Sequence, residues 1–338
     1  MHPDLEGALT TLGISAKVPT LRAAAELSQQ ILGDSREFLQ LEMPAADSPL
    51  DVVAVGSIAR GEASNASDFD YLVIAHGLPE KAAETKRMLE AVERLRKEKL
   101  RLKRPGSTGM FGKVIPAAEL TERIGLQEDT NLSHSRRMLL LEESVSLYQP
   151  AKHQKLIALI LDRYLSDYDT PKRGVPRFLL NDVIRYWRTI AVDYQAKRWE
   201  QVEPDWGLRY LKLIISRKLT FAGTLASLFL CESASREYFC DQFEKPPLAR
   251  LAQLHEHLES GLLPSLRCTF EIAEEFAARL QDEEFRKEAQ AVGERRDIDP
   301  ESRFGQMRDR ARILQSELER IFFDSARLGD QSRKYLSF

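Results

Sequence analysis

Two short β-branched runs limit what this chain can fold into. Residues 51–56, Asp-Val-Val-Ala-Val-Gly, and residues 69–75, Phe-Asp-Tyr-Leu-Val-Ile-Ala, are each of strand length. Turn formers close both, Gly56-Ser57 after the first and Gly77 after the second, and a short polar loop lies between them. Side chains alternate across a strand, so Asp68 and Asp70 project from one face while Phe69 points the other way into a core. Two carboxylates held that close repel one another unless a cation lies between them. No basic residue stands beside them in sequence, so the economical partner is a divalent metal, and an all-oxygen donor set suits Mg²⁺ or Mn²⁺. At the end of the neighbouring run, Gly56 lets the backbone approach a ligand closely. The Ser57 hydroxyl and adjacent N–H groups can donate to phosphate oxygens, and Arg60 adds charge. A phosphate cradle facing a metal pair is the geometry of two-metal phosphoryl or nucleotidyl transfer.

The fuller string, Gly56-Ser57-Ile58-Ala59-Arg60-Gly61-Glu62 followed by Ser67-Asp68-Phe69-Asp70, resembles the signature of the DNA polymerase β-type nucleotidyltransferase superfamily. It looks most like the bacterial minimal nucleotidyltransferases and the catalytic domain of nitrogen-sensor uridylyltransferases, closely over this stretch and loosely over residues 1–150. The resemblance implies a metal-dependent enzyme that moves a nucleoside monophosphate from a nucleoside triphosphate to a hydroxyl acceptor. In it Asp68 and Asp70 hold Mg²⁺ (or Mn²⁺), Gly56 and Ser57 position the triphosphate, and Arg60 or Lys212 stabilises charge. The acceptor is a protein side chain, an RNA end, a small alcohol or another nucleotide, in a toxin, defence or regulatory role.

The resemblance also implies a third carboxylate on a following strand. Its expected neighbourhood is residues 110–116, where Gly112 and Lys113 stand; no acidic residue occurs between Glu98 and Glu119. Glu119, Glu128 and Asp129 are the nearest candidates. Asp129 is chosen because residues 125–143 look similar to a uridylyltransferase segment in which an acidic residue and Thr precede a helix. A helix N-terminal cap formed with Thr130 and Asn131 is the other reading of Asp129. Lys113 in a ligand position argues for altered or lost chemistry, and hence for an inactive nucleotide-binding regulatory or scaffold protein on the same fold.

Periodicity supplies the frame. Residues 1–45 read as helical, with Gly33-Asp34-Ser35 as a stop and a new cap. Residues 80–103 form a charged amphipathic helix that turns Met88, Leu89, Val92 and Leu95 toward a sheet. A short strand is expected at 110–115, a helix over 134–144 and a last strand over 145–150, after which nearly everything is helical. The fold class is therefore α+β. An N-terminal nucleotidyltransferase palm, a mixed sheet with helices, spans 1–150; an all-α domain spans 151–338 and by resemblance closes the cleft.

With a formal charge of −3, the chain has no global pull on polyanions, so any such site is local. Residues 172–218 carry eleven Lys/Arg against five Asp/Glu. Arg177, Asn181, Arg185 and Arg188 form one helical stripe, and Arg209, Lys212 and Ser216 share a face of the next helix. By placement, Arg209 and Lys212 bind the triphosphate or the acceptor; the alternative is a solvated face paired with Asp182, Asp193 or Asp205. Trp187, Trp199, Trp206 and Tyr210 stack on a base or build core. Arg250 and His255 have the Arg-x4-His spacing of helical ribonucleases, although Arg is common enough here for chance to produce it.

Cys231, Cys240 and Cys268 match no zinc or redox pattern and read as reduced thiols. The start lacks a basic leader, and the longest apolar run, residues 219–230, is shorter than the roughly 20 residues that cross a bilayer. A cytoplasmic protein without a membrane partner is expected.

Overall fold

The structure is a computed structural model describing residues 1–44, 47–77, 82–106, 110–166, 174–200, 206–293 and 298–336, with 196–200 as backbone only. Helices α1 (Pro3–Thr11) and α2 (Pro19–Glu42) precede strands β1 (Leu50–Val55) and β2 (Tyr71–Ala75). Then come α3 (Ala83–Arg94), β3 (Val114–Pro116), α4 (Ala117–Thr121), α5 (Asn131–Glu142), β4 (Ser144–Ser146) and α6 (Pro150–Leu165). The remainder is helical: α7 (Arg177–Glu200), α8 (Trp206–Lys212), α9 (Lys218–Leu230), α10 (Arg236–Glu244), α11 (Pro247–Ala252), α12 (Leu263–Gln281), α13 (Glu283–Ala291), α14 (Arg303–Glu319) and α15 (Gly329–Leu336). The α+β class read from the sequence is the class of the structure.

Packing divides the chain into two units, not by one cut at residue 150. One unit is Ala24–Asp182 with Ser233–Pro246; the other is Met1–Ala23, Val183–Glu232 and Pro247–Phe338.

The first unit is built on a four-stranded sheet in the order β3-β2-β1-β4, antiparallel at β1/β2 and β1/β4 and parallel at β2/β3. The register pairs Leu50 with Ala75, Val52 with Val73 and Ala54 with Tyr71. Those residues face a core made with Ile31, Leu32 and Leu39 of α2 and with Met88, Ala91 and Val92 of α3. Leu95 joins them and Leu89 packs at the margin, as the amphipathic pattern of residues 80–103 required. The opposite face, with Val53, Val55, Leu72 and Ile74, is also buried, and α6 packs on β1. Burial on both faces explains why β1 and β2 read as continuous apolar runs.

Two local signals are overridden. Helix α2 runs straight through Gly33. A mid-helix glycine costs about 1 kcal/mol relative to alanine, less than the burial of Ile31, Leu32 and Leu39 returns. The expected new cap, Ser35, donates its hydroxyl back to the Ile31 carbonyl at 2.6 Å within the same helix. The strand expected over 110–115 is confined to Val114–Pro116, because Gly112 has φ +66° and bends the chain into it.

In the second unit the N-terminus of α2 is capped from α12: the Thr20 and Leu21 N–H groups donate to the Glu274 carboxylate at 2.9 and 2.8 Å. Helix α9 is the centre, with every residue from Ala222 to Leu230 buried. A Cβ on Gly223 would stand 2.3 Å from the Pro247 carbonyl oxygen, so glycine is what allows α9 and α11 to touch. Helices α8 and α9 are joined through a π-type turn at Leu213–Arg217 into one helix, Trp206–Leu230. By length and hydropathy this helix could span a bilayer, which the shorter run 219–230 did not suggest, but 72% of its most apolar window is buried inside the protein. It is packed as a core helix.

Candidate functional site

Strand β1 ends at Gly56, whose φ of +73° lies in the left-handed region that a side chain disfavours. Space is tight as well: a Cβ there would stand 3.2 Å from Oδ2 of Asp70. The chain then coils through one tight turn. The Arg60 N–H donates to the Gly56 carbonyl at 3.0 Å, Gly61 N–H to Ile58 at 3.2 Å and Glu62 N–H to Ser57 at 2.8 Å. Buried Ile58 and Ala63 pin the turn to the core, and the Ala63 N–H donates to Ser28 Oγ of α2 at 3.1 Å.

The polar loop is stitched to this turn by serines. Ser57 Oγ donates to Ser67 Oγ at 3.3 Å, and Ser67 Oγ also accepts the Ser64 N–H at 2.9 Å. Ser67 directly precedes Asp68, which forms a parallel bridge with Lys103, while the Phe69 N–H donates to the Lys103 carbonyl at 3.1 Å. Phe69 is fully buried in the α2/α3 core, as the alternation required. Asp70 continues the ladder, its carbonyl accepting the Val55 N–H at 3.0 Å, and alternation sets its side chain on the face of Val53, Val55 and Leu72. Both carboxylates are half-buried. The structure thus brings Gly56, Ser57 and Asp70 to one end of the β1/β2 pair.

Residues 37–110 match the nucleotidyltransferase domain family. The match runs from the second half of α2 through β1, the turn, both aspartates and α3, and is consistent with the DNA polymerase β-type superfamily without favouring any branch of it. Comparison with curated proteins gives no match. The matched domain supports a transferase role in general and implies a nucleoside triphosphate as the substrate class.

Within this domain the aspartates suit a hard cation. They are oxygen donors of the kind Mg²⁺ and Mn²⁺ prefer, and the glycine at 56 lets the main chain pass close to the Asp70 carboxylate. Among the described residues, no group of three or more His, Cys, Asp or Glu is arranged to hold a metal ion.

Two of the three candidates for a third carboxylate, Glu119 and Asp129, are engaged elsewhere. Glu119 accepts the Ser133 hydroxyl at 3.1 Å and lies 3.7 Å from Arg136. Glu128 is exposed. Asp129 is buried in a two-pronged pair with Arg137, Oδ1 to Nη1 at 3.0 Å and Oδ2 to Nη2 at 2.7 Å, and it accepts the Gly125 N–H at 3.1 Å. Burial pushes its pKa up, but Arg137 and that N–H outweigh burial and hold it below the usual value. Arg137 is itself fully buried, extends to Asp182 at 3.2 Å and donates Nε to the Tyr164 hydroxyl at 2.7 Å. The α5 cap is Thr130, whose hydroxyl accepts the Ser133 N–H, so Asp129 is not the cap either.

Lys113 is exposed at the entry to β3, its carbonyl accepting the Val73 N–H at 3.0 Å. Val114 pairs with Val73 and Ile115 with Ile74; alternation therefore puts the Lys113 side chain on the face of Ile74, Leu72 and Asp70. The family match stops at residue 110, ahead of this strand.

Arg60 is not free to meet phosphate. It is 7% exposed, with Nε and Nη2 on Glu62 at 2.9 Å and Nη1 on Glu143. Burial opposes its charge, but Glu62 and Glu143 more than offset that and raise its pKa above the ordinary value. Glu143 carried no signal in the sequence, since its partner lies 83 positions away.

Arg209 and Lys212 lie on α8 in the second unit, Lys212 exposed and Arg209 half-buried. Trp206 and Tyr210 stack on one another at 5.1 Å and Trp187 stacks on Phe221 at 5.4 Å, so these rings pack within the protein. The Trp199 side chain and Asp205 lie outside the described residues. Arg250 is fully buried and the His255 ring bonds the Ala252 carbonyl at 2.8 Å, which removes the ribonuclease reading of that pair.

Proposed function

We propose that this chain is a divalent-metal-dependent nucleotidyltransferase. The observation that carries the reading is the close approach of Gly56 to the Asp70 carboxylate, which joins a side-chain-free backbone to a metal-type donor at one strand end. In this reading the Gly56–Gly61 turn and the Ser57 hydroxyl bind and orient the triphosphate. Asp68 and Asp70 hold Mg²⁺ or Mn²⁺, which when bound neutralises charge on the phosphates and lowers the pKa of the acceptor hydroxyl. Arg209 and Lys212 contribute positive charge to the triphosphate or the acceptor, a protein, an RNA or a nucleotide. Asp129 has a structural part, since its carboxylate is committed to Arg137. A cytoplasmic setting with free nucleoside triphosphates belongs to the same reading.

A second reading, an inactive nucleotide-binding regulator, is favoured by one observation: Lys113 stands on the Asp70 face where the superfamily resemblance calls for a carboxylate. Incubation with each labelled nucleoside triphosphate and Mg²⁺, native against the Asp68→Ala/Asp70→Ala double variant, separates the two. Metal-dependent pyrophosphate release by the native chain alone supports transfer; metal-dependent binding without turnover supports the regulator. Neither binding nor turnover would sink both.

A further inference from the structure

We propose that Arg60 is a positioning residue for the triphosphate turn, acting through Glu143, and not a phosphate ligand; this rests on the nucleotidyltransferase reading above. The turn is held at two levels. Along the main chain, Arg60 N–H donates to Gly56 and Glu62 N–H to Ser57, so any displacement of residues 60–62 displaces the two residues that face phosphate. Through side chains, Arg60 is clamped between Glu62 of the same turn and Glu143, the residue that follows α5 and leads into β4. Glu143 is held in turn by its N–H on the Leu139 carbonyl at 3.1 Å. All three nitrogens of the guanidinium are committed to carboxylates and only 7% of the residue is exposed. Removing one partner of a buried pair leaves a charge uncompensated, so the turn would be pulled out of register, not merely loosened.

The two roles for Arg60 make opposite predictions at Glu143. A phosphate-binding guanidinium is released when Glu143 loses its charge, and triphosphate binding then strengthens. A positioning guanidinium loses its anchor, and binding weakens. The experiment is calorimetric titration of the full chain with ATP, GTP, CTP and UTP in Mg²⁺, comparing native, Glu143→Gln, Arg60→Lys and the double variant, with circular dichroism and melting run on each. Displacement of bound groups by an ångström costs up to about a hundredfold. The expectation is therefore that Glu143→Gln and Arg60→Lys each weaken the native affinity by roughly tenfold or more. The double variant should be no weaker than the worse single one within about twofold, since the residues act as one unit. Should Glu143→Gln fail to fold, Glu62→Gln takes its place with the same expectation. Equal or tighter binding by the folded variant overturns the positioning role while leaving the enzyme reading intact. Absence of any triphosphate binding by the native chain overturns both.

Discussion

Gly56 and Asp70 come so close that a Cβ on the glycine would stand 3.2 Å from the aspartate Oδ2. Gly56→Ala therefore meets two obstacles: a φ of +73°, costing about 1–2 kcal/mol for a residue with a side chain, and a methyl against the carboxylate. The expected result is a folded protein with a slightly lower melting temperature and Mg²⁺-dependent nucleotide binding weakened by about tenfold or more, read by calorimetry. Native-like affinity in Gly56→Ala would show that the triphosphate does not lie at this strand end.

Asp68→Asn and Asp70→Asn separate stability from function. Each keeps the size and shape of the side chain while removing one negative charge, so melting in EDTA is expected to stay close to native. Turnover should fall on the order of a thousandfold, the scale of several kcal/mol of lost charge stabilisation. Variants that melt well below native in EDTA would mean that these carboxylates serve the fold.

Asp129→Asn is expected to do the reverse. It leaves the fully buried Arg137 without its bidentate anion and should cost about 3–5 kcal/mol in urea unfolding, with Mg²⁺ affinity unchanged. In the native chain the Asp129 pKa lies below its ordinary value. Its stabilising contribution is thus present above that ordinary value and is lost as pH falls through the lowered one. A loss of Mg²⁺ affinity in folded Asp129→Asn would restore it as the third ligand.

Asp51 has the opposite sign. It is fully buried, accepts the Gln149 N–H at 2.8 Å and the Ser146 hydroxyl at 2.9 Å through Oδ1, and its Oδ2 has no hydrogen-bond partner among the described residues. Burial raises its pKa to about 7, in spite of those donors. The folded state therefore binds its proton more tightly than the unfolded state. The associated stability is full below pH 4 and is lost as pH rises through about 7, a change on the order of 4 kcal/mol. Urea unfolding of Asp51→Asn across this range should lack that decline, making the variant as stable as native or more so at pH 8. A parallel pH dependence in the two proteins would exclude Asp51 as its source.

Much of the site was legible because its signals are local. A β-branched run has a period of two and a glycine at a positive φ has few substitutes, so the strands within residues 51–56 and 69–75 and the turn at Gly56 follow from neighbours in sequence. The amphipathic helix α3 and the helical second half follow for the same reason. Tertiary structure decided which charges are available. Arg60 sits beside the phosphate-type turn in sequence, but β1 pairs with β4, and that pairing brings Glu143 across to claim the guanidinium. Asp129 stands before a helix like any cap, yet Arg137, two turns on, joins it to Asp182 and Tyr164 in a buried network. Residues 1–23 directly precede the sheet-building segment in sequence, yet they belong to the unit that holds α12, where Glu274 caps Thr20 and Leu21. An isolated buried charge costs too much to leave unpaired, so its partner is chosen by whatever the topology brings within reach. Sequence alone thus determined the strands, the glycine turn and the aspartate pair; the tertiary structure decided which ionic groups remained to serve them.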